Sequence, residues 1–225
     1  MNAITRRPPL NLRLLLWACR PTVAAELGKA EAEAVLAATE HQIVILLARM
    51  PVLSPHKDGA QEFLLATAAM LGFHRAMKAR GHPMAQTAAL LYRAADRALR
   101  RIPVPVRNLY RWWFFRPSVH RKLVASLLGT GPNDFAGRFV PGDGSFDFGV
   151  DYTACALRRF VIAEGEAELA PYICQLDYVQ SEIFGLGLQR GGTLSQGASL
   201  CDFRWKRGRA TPAGWPPPPF GTPRD

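Results

Sequence analysis

Reactive side chains concentrate in one stretch, Arg190-Gly-Gly-Thr-Leu-Ser-Gln-Gly-Ala-Ser-Leu-Cys-Asp-Phe-Arg204. Its glycines at 191, 192 and 197 leave the backbone free to turn. From Leu200 to Trp205 apolar and polar residues alternate, which predicts a strand. The alternation sends Cys201, Phe203 and Trp205 to one face, Asp202 and Arg204 to the other. Asp202 and Arg204 can pair with each other or hold a polar ligand between them. Cys201, set between apolar neighbours, reads first as a core thiol, because free cysteine is among the most buried residue types. Upstream, Cys174 and Asp177 lie at i, i+3 spacing in a predicted helix and share one face. If that helix covers the sheet, both side chains look toward Cys201. Three cysteines plus Asp177 could also bind zinc, although no paired ligand spacing marks such a site and nothing in the sequence requires a cofactor. No histidine falls among these residues, so a local Cys/His dyad is not on offer.

These residues carry a resemblance. Thr193-x-x-x-Gly197-x-x-x-Cys201-Asp-Phe-Arg204 resembles the closing motif of the L-2-amino-thiazoline-4-carboxylic acid hydrolase family. Gly142-Asp-Gly, Phe146-Asp-Phe-Gly149, Asp151-Tyr-Thr-x-Cys155 and Glu168-Leu-x-Pro171-Tyr-x-Cys174-x-x-Asp177-Tyr178 are similar to its other blocks. The likeness is sharp from about residue 140 to 207 and a looser helical pattern from about 22 to 128. It implies a hydrolase opening a small cyclic amidine, such as 2-amino-thiazoline-4-carboxylate, to a carbamoyl-cysteine-type product. Such a ring needs an acid or base at its nitrogens and an activated water or thiolate at its central carbon. On that implication Asp177 is the acid or base, and Cys174 or Cys201 the nucleophile. Arg204 or Arg190 grips the substrate carboxylate, with Asp202 and Thr193 beside them. The Gly197-x-x-x-Cys201-x-Phe203 ending is also similar to small-molecule sensing domains related to vinyl reductases. A binding or interaction module without turnover is therefore the alternative.

Positioning such a site falls to a chain of 225 residues, 48% hydrophobic and 20% charged, ample for a folded core. The four cysteines, at 19, 155, 174 and 201, form no Cys-x-x-Cys pair. Reduced thiols in a cytoplasmic setting are expected. The net charge of +10 is uneven: residues 1–140 carry 20 Lys+Arg against 8 Asp+Glu, residues 141–225 carry 8 against 10. Basic residues crowd between Arg93 and Lys122, around Trp112-Trp113-Phe114-Phe115. A membrane surface could meet such a segment, but the expectation is a helix with its aromatics in the core and its arginines solvated. No nucleic-acid motif accompanies the charge.

Residues 1–21 read as a partly disordered leader with a faint signal-peptide outline, interrupted by Arg13. Helices are predicted from Thr22, as cap, to Arg49, from Asp58 to Gly81, and from Pro83 to Arg101. One or two more follow to Leu128, divided at Pro117 with Ser118 as cap. His41 and His56 read as surface residues, and His74 as a core histidine. After Gly129 the texture changes to turn residues and alternation. Strands are predicted at 135–140, 146–152, 186–190 and 200–205, with helices from Thr153 to Ala163 and Glu166 to Phe184 between the middle two. The expected fold is α+β: a helical part over 22–128, then an antiparallel sheet of about four strands covered by helices over 129–207, in one domain. Residues 208–225 read as a mobile Pro-rich tail.

Overall fold

One glycine sets how the N-terminal half begins. The computed structural model describes residues 8–54 and 58–212, and in it Gly28, at φ 81°, divides α1 (Leu10–Leu27) from α2 (Lys29–Arg49). A positive φ of this size favours glycine, so the bend falls where the chain has one. The pattern had predicted one helix starting at Thr22 behind a leader. Residues 10–21 are helical instead, because Leu12, Leu16 and Val23 bury themselves with Val35, Ile43 and Leu90. Thr22 is accordingly an interior residue whose hydroxyl accepts from Arg97 at 3.2 Å, and it caps nothing.

α3 (Asp58–Ala79) packs along α2, and α4 (Met84–Arg100) crosses to meet α1 and the C-terminal helix. α5 (Val104–Phe114) and α6 (Pro117–Leu127) follow, each started by a proline at or just before its first turn. Ser118 lies inside the first turn of α6. The cap position belongs to Arg116, whose side chain makes no capping bond. The aromatic run splits across α5. Phe114 and Phe115 are buried, whereas Trp112 and Trp113 are 55% and 40% exposed, against the expectation that they join the core.

Strands begin only after this helical part among the described residues, as the change of texture predicted. β1 (Ala136–Pro141), β2 (Phe148–Ala154), β3 (Leu188–Gln189) and β4 (Cys201–Trp205) form an antiparallel sheet in the order β1-β2-β4-β3. β2 and β4 are its middle strands, with Tyr152 opposite Cys201, Asp151 opposite Asp202, and Val150 opposite Phe203. α7 (Ala156–Ala163), a short 3-10 turn at Ala167–Leu169 and α8 (Ala170–Phe184) connect β2 to β3. Thr153, expected to cap α7, remains in β2. Cys155 takes that role, its Sγ accepting the Arg158 N–H at 3.5 Å. Pro171 sits in the first turn of α8, and Gly185 in the left-handed conformation ends it.

Two ties lock the sheet layer to the helices. Asp134, just before β1, accepts hydrogen bonds from the Ser54 and Gly131 backbone N–H groups at 2.8 and 2.7 Å. Behind α7, Glu166 accepts from Lys78 at 2.8 Å and meets His74 Nε2 at 3.1 Å, so His74 is the core histidine expected, while His41 is exposed and His56 lies outside the described residues. A hydrophobic cluster of Phe114, Phe115, Phe148, Ile183 and Phe184 closes the joint between α5, α8 and the sheet. Residues 209–211, expected to begin a mobile tail, are held: Arg209 donates to Gln189 Oε1 at 2.9 Å and Thr211 pairs with Ser181 at 2.8 Å. The rest of the expected tail, from residue 213, lies outside the described residues.

Candidate active site between the sheet and α8

Strand alternation allows one face of β4 to look inward, and the cover of helices chooses which. A cavity of about 220 Å³ lies between the sheet and helices α5, α6 and α8. Its sheet wall is Phe148, Val150 and Tyr152 from β2 with Cys201, Phe203 and Trp205 from β4. Its helical wall brings Ile173, Cys174 and Asp177 from α8, and Arg190 and Ser195 close one end. Asp177, Cys174, Cys201 and Arg190 thus meet at one cavity, as the i, i+3 spacing and the alternation suggested. Asp202 and Arg204 do not join them. They belong to the other face of the sheet, away from the cavity in which the resemblance implied that they would bind substrate.

Asp177 is the centre of the polar end. Arg190 Nη1 donates to its Oδ2 at 2.8 Å, and Arg190 Nη2 donates to the Cys174 carbonyl at 2.8 Å. The guanidinium is sandwiched at 4.9 Å from the Tyr178 ring and 4.8 Å from the Phe203 ring. Those contacts leave it one orientation, with 2% of its side chain accessible. Asp177 keeps 41% of its side chain accessible and lines the cavity. Burial pushes its carboxyl above the usual carboxylate range, and the Arg190 charge only partly opposes this. A carboxyl whose charged form is disfavoured in this way is suited to exchange a proton with a bound substrate.

Burial shifts the thiols in the same direction, which keeps them protonated. Burial pushes Cys174 up to about 11 and Cys155 up to about 12, and raises Cys201 as well. Cys174 Sγ contacts Ser195 Oγ at 3.4 Å, and Cys201 Sγ accepts the Leu194 N–H at 3.2 Å. At neutral pH these sulfurs are thiols, weak as nucleophiles. Tyr152, beside them, is raised by burial too and remains a neutral donor.

The glycines and Asp202 have a positioning role. The Gly191 and Gly192 N–H groups both donate to the Asp202 carboxylate, at 2.9 Å. A Cβ on Gly191 would fall 2.9 Å from Asp202 Oδ2, so any side chain there would push the carboxylate out of this position. The Arg190-Gly-Gly turn is therefore pinned to β4, and that pin aims Arg190 at Asp177. Thr193 is buried away from the cavity, its hydroxyl donating to Gln196 Oε1 at 3.0 Å within the same turn. Arg204 donates to Asp151 Oδ1 at 2.7 Å, and Arg138 meets Asp151 Oδ2 at 2.9 Å. Gly149 makes room for this, since a Cβ there would come within 2.8 Å of Arg204 Cδ.

Ser195, Tyr152 and Arg158, which the sequence does not mark as site residues, also line the cavity, together with Cys155. Tyr152 was findable, because period-two alternation places it with Val150 and Phe148. Ser195 lies in a 3-10 turn at Leu194–Gln196 that no local pattern announced. Among the described residues, the three thiols and Asp177 form no set of ligand atoms within metal-binding reach of one another. The one such group is His74, Glu166 and Glu168, and there the Lys78 ammonium already bridges both carboxylates at 2.8 and 3.1 Å.

A family model described as L-2-amino-thiazoline-4-carboxylic acid hydrolase matches residues 66–205, more than half of the chain. No curated protein and no solved structure matches it.

Proposed function

The chain belongs to the L-2-amino-thiazoline-4-carboxylic acid hydrolase family, and from that premise we propose that its cavity hydrolyses a cyclic amidine of the 2-amino-thiazoline-4-carboxylate type with Asp177 as proton-transfer group. The observation that carries the reading is a desolvated carboxyl, fixed by Arg190, on the wall of a cavity lined with protonated thiols. Water is the nucleophile this arrangement suits. Ionised Asp177 takes a proton from the attacking water, whose oxygen bonds to the amidine carbon, and gives it to the amidine nitrogen that receives the C=N electron pair. It then takes the hydroxyl proton and gives it to the ring heteroatom whose bond to that carbon breaks, leaving C=O. One water is consumed and a carbamoyl group results. Cys174 and Cys201 contribute shape and weak hydrogen bonding beside the ring. Arg190 keeps Asp177 in place, and its charge and that of Arg158 on the same wall attract a substrate carboxylate. Asp202 acts through the pinned turn, and Arg204 and Thr193 hold the framework.

Incubating purified protein with 2-amino-thiazoline-4-carboxylate should give a product heavier by one water, and Asp177→Asn should stop its formation. Sensitivity of turnover to a thiol alkylating agent, with a covalent adduct trapped on Cys174 or Cys201, would replace water with a thiolate. A second reading, a binding module without turnover, draws support from the far end of the cavity. There Tyr110, Phe114, Leu123, Val124 and Leu127 offer apolar contact that a carboxylated thiazoline ring does not need. Saturable binding of the thiazoline to the wild-type protein with no product after prolonged incubation would favour that module.

A further inference from the structure

α5 packs on the body of the protein through Tyr110 and Phe114, which meet Phe184 and Phe148. Its opposite side is apolar and bare. Val104, Val106, Leu109, Trp112 and Trp113 are between 40% and 63% exposed. At 100° per residue these side chains sweep one broad arc of a helix only 11 residues long. Scattered exposed apolar residues are ordinary, but a contiguous arc of this kind marks a surface that meets something.

Charge identifies what it meets. Residues 97–133 contain eight Lys and Arg and no Asp or Glu. Arg101, Arg111, Arg116, Arg121 and Lys122 are exposed around the arc, and Arg116 lies over the Trp112 ring at 4.8 Å. A second copy of the chain, joined through this face about a twofold axis, would bring these like charges together with no acid of the segment to answer them. A nucleic acid would satisfy the arginines but leave Val104, Val106 and Leu109 facing phosphates and water. An anionic bilayer satisfies both. Its headgroups pair with the arginines and its upper acyl region takes tryptophan and aliphatic side chains, in the manner of helices that lie in the membrane interface. No described helix is long and apolar enough to cross a membrane.

We propose that α5 and the turn leading into it dock this protein onto an anionic lipid surface. The inference is independent of the chemistry in the cavity. Its test is co-sedimentation of the full chain with phosphatidylglycerol/phosphatidylcholine vesicles, against pure phosphatidylcholine vesicles, at low and high salt. Binding to the anionic vesicles should fall by an order of magnitude or more on raising the salt, and Trp112 and Trp113 should be shielded from an aqueous quencher. Arg111→Glu with Arg116→Glu should weaken binding at least tenfold, as should Trp112→Ser with Trp113→Ser, while circular dichroism and thermal unfolding stay as in the wild type. Equal affinity for both vesicle types, no vesicle binding at low salt, loss of binding only where the variants unfold, tighter binding to a DNA duplex, or a dimer dissociated by the tryptophan pair would each overturn the proposal.

Discussion

The two faces of the sheet each hold a carboxylate paired with arginine, and the pairs are opposites. Asp151 sits between Arg138 and Arg204, with bonds at 2.9 and 2.7 Å. Burial acts to raise its pKa, but the two arginines outweigh it and hold the carboxyl below the usual range. Asp177 has one arginine, which also binds the Cys174 carbonyl, and there burial prevails. A carboxylate with two guanidinium partners is electrostatically satisfied and serves as a joint between strands. One with a single shared partner is left able to exchange a proton. Two things separate framework from chemistry here: how strongly burial disfavours the charged carboxyl, and how many cations are in reach to oppose it.

Replacing each aspartate tests that contrast most strongly. Asp177→Asn should lower kcat/KM for the thiazoline by about 10²–10⁴-fold, the usual worth of a positioned acid or base, in a protein that still folds. Comparable turnover by the variant would move the chemistry elsewhere. Asp151→Asn should do the reverse. Leaving Arg204 and Arg138 without their carboxylate should cost about 1.5–3 kcal/mol of unfolding free energy, measured by denaturant titration, with kcat of the folded fraction preserved.

The pin at Asp202 separates the two roles further. Asp202→Ala leaves two backbone N–H groups without their acceptor and should cost about 1–3 kcal/mol. Because the released turn no longer aims Arg190, kcat/KM should fall together with stability. Arg204→Lys, in contrast, should shift stability without raising KM. A raised KM would bring the charged face back into the substrate site.

The pH response should divide in the same way. The folded pKa of Asp151 is depressed, so its stabilisation is full above the unfolded value and is lost as pH falls through the folded one. Asp151→Asn should therefore flatten acid unfolding below the ordinary carboxylate range. Asp177 is raised, so the acid limb of kcat/KM should lie above that range and disappear in Asp177→Asn. An acid limb inside the ordinary carboxylate range would contradict the desolvation of Asp177. The smallest effect belongs to Trp113→Ala. Exposed on α5, it should change stability by no more than about 0.5 kcal/mol, far below the cost of emptying a core position.

By itself the sequence determined the local architecture. Prolines at 83, 103 and 117 start helices because proline fits a first turn and interrupts what precedes it. Period-two alternation placed β2 and β4 and put Cys201 and Phe203 on one face, while i, i+3 spacing put Cys174 with Asp177. These are properties of neighbouring residues, and neighbours suffice to read them. Which face of β4 looks inward was decided only when α8 and α6 covered the Cys201 side, and the alternation is the same whichever face is covered. The same holds for α1, whose Leu12 and Leu16 make a helix of a stretch that read as a leader because α2 and α4 are there to receive them. Trp112 and Trp113 gave no sign of facing out, since an aromatic in a basic helix packs or protrudes according to what lies opposite. Asp151 and Asp177 look alike in the sequence. Their opposite behaviour comes from Arg138 and Arg204 in one case and from heavier burial opposed by Arg190 alone in the other, because a charge feels its surroundings in space, whatever their distance along the chain.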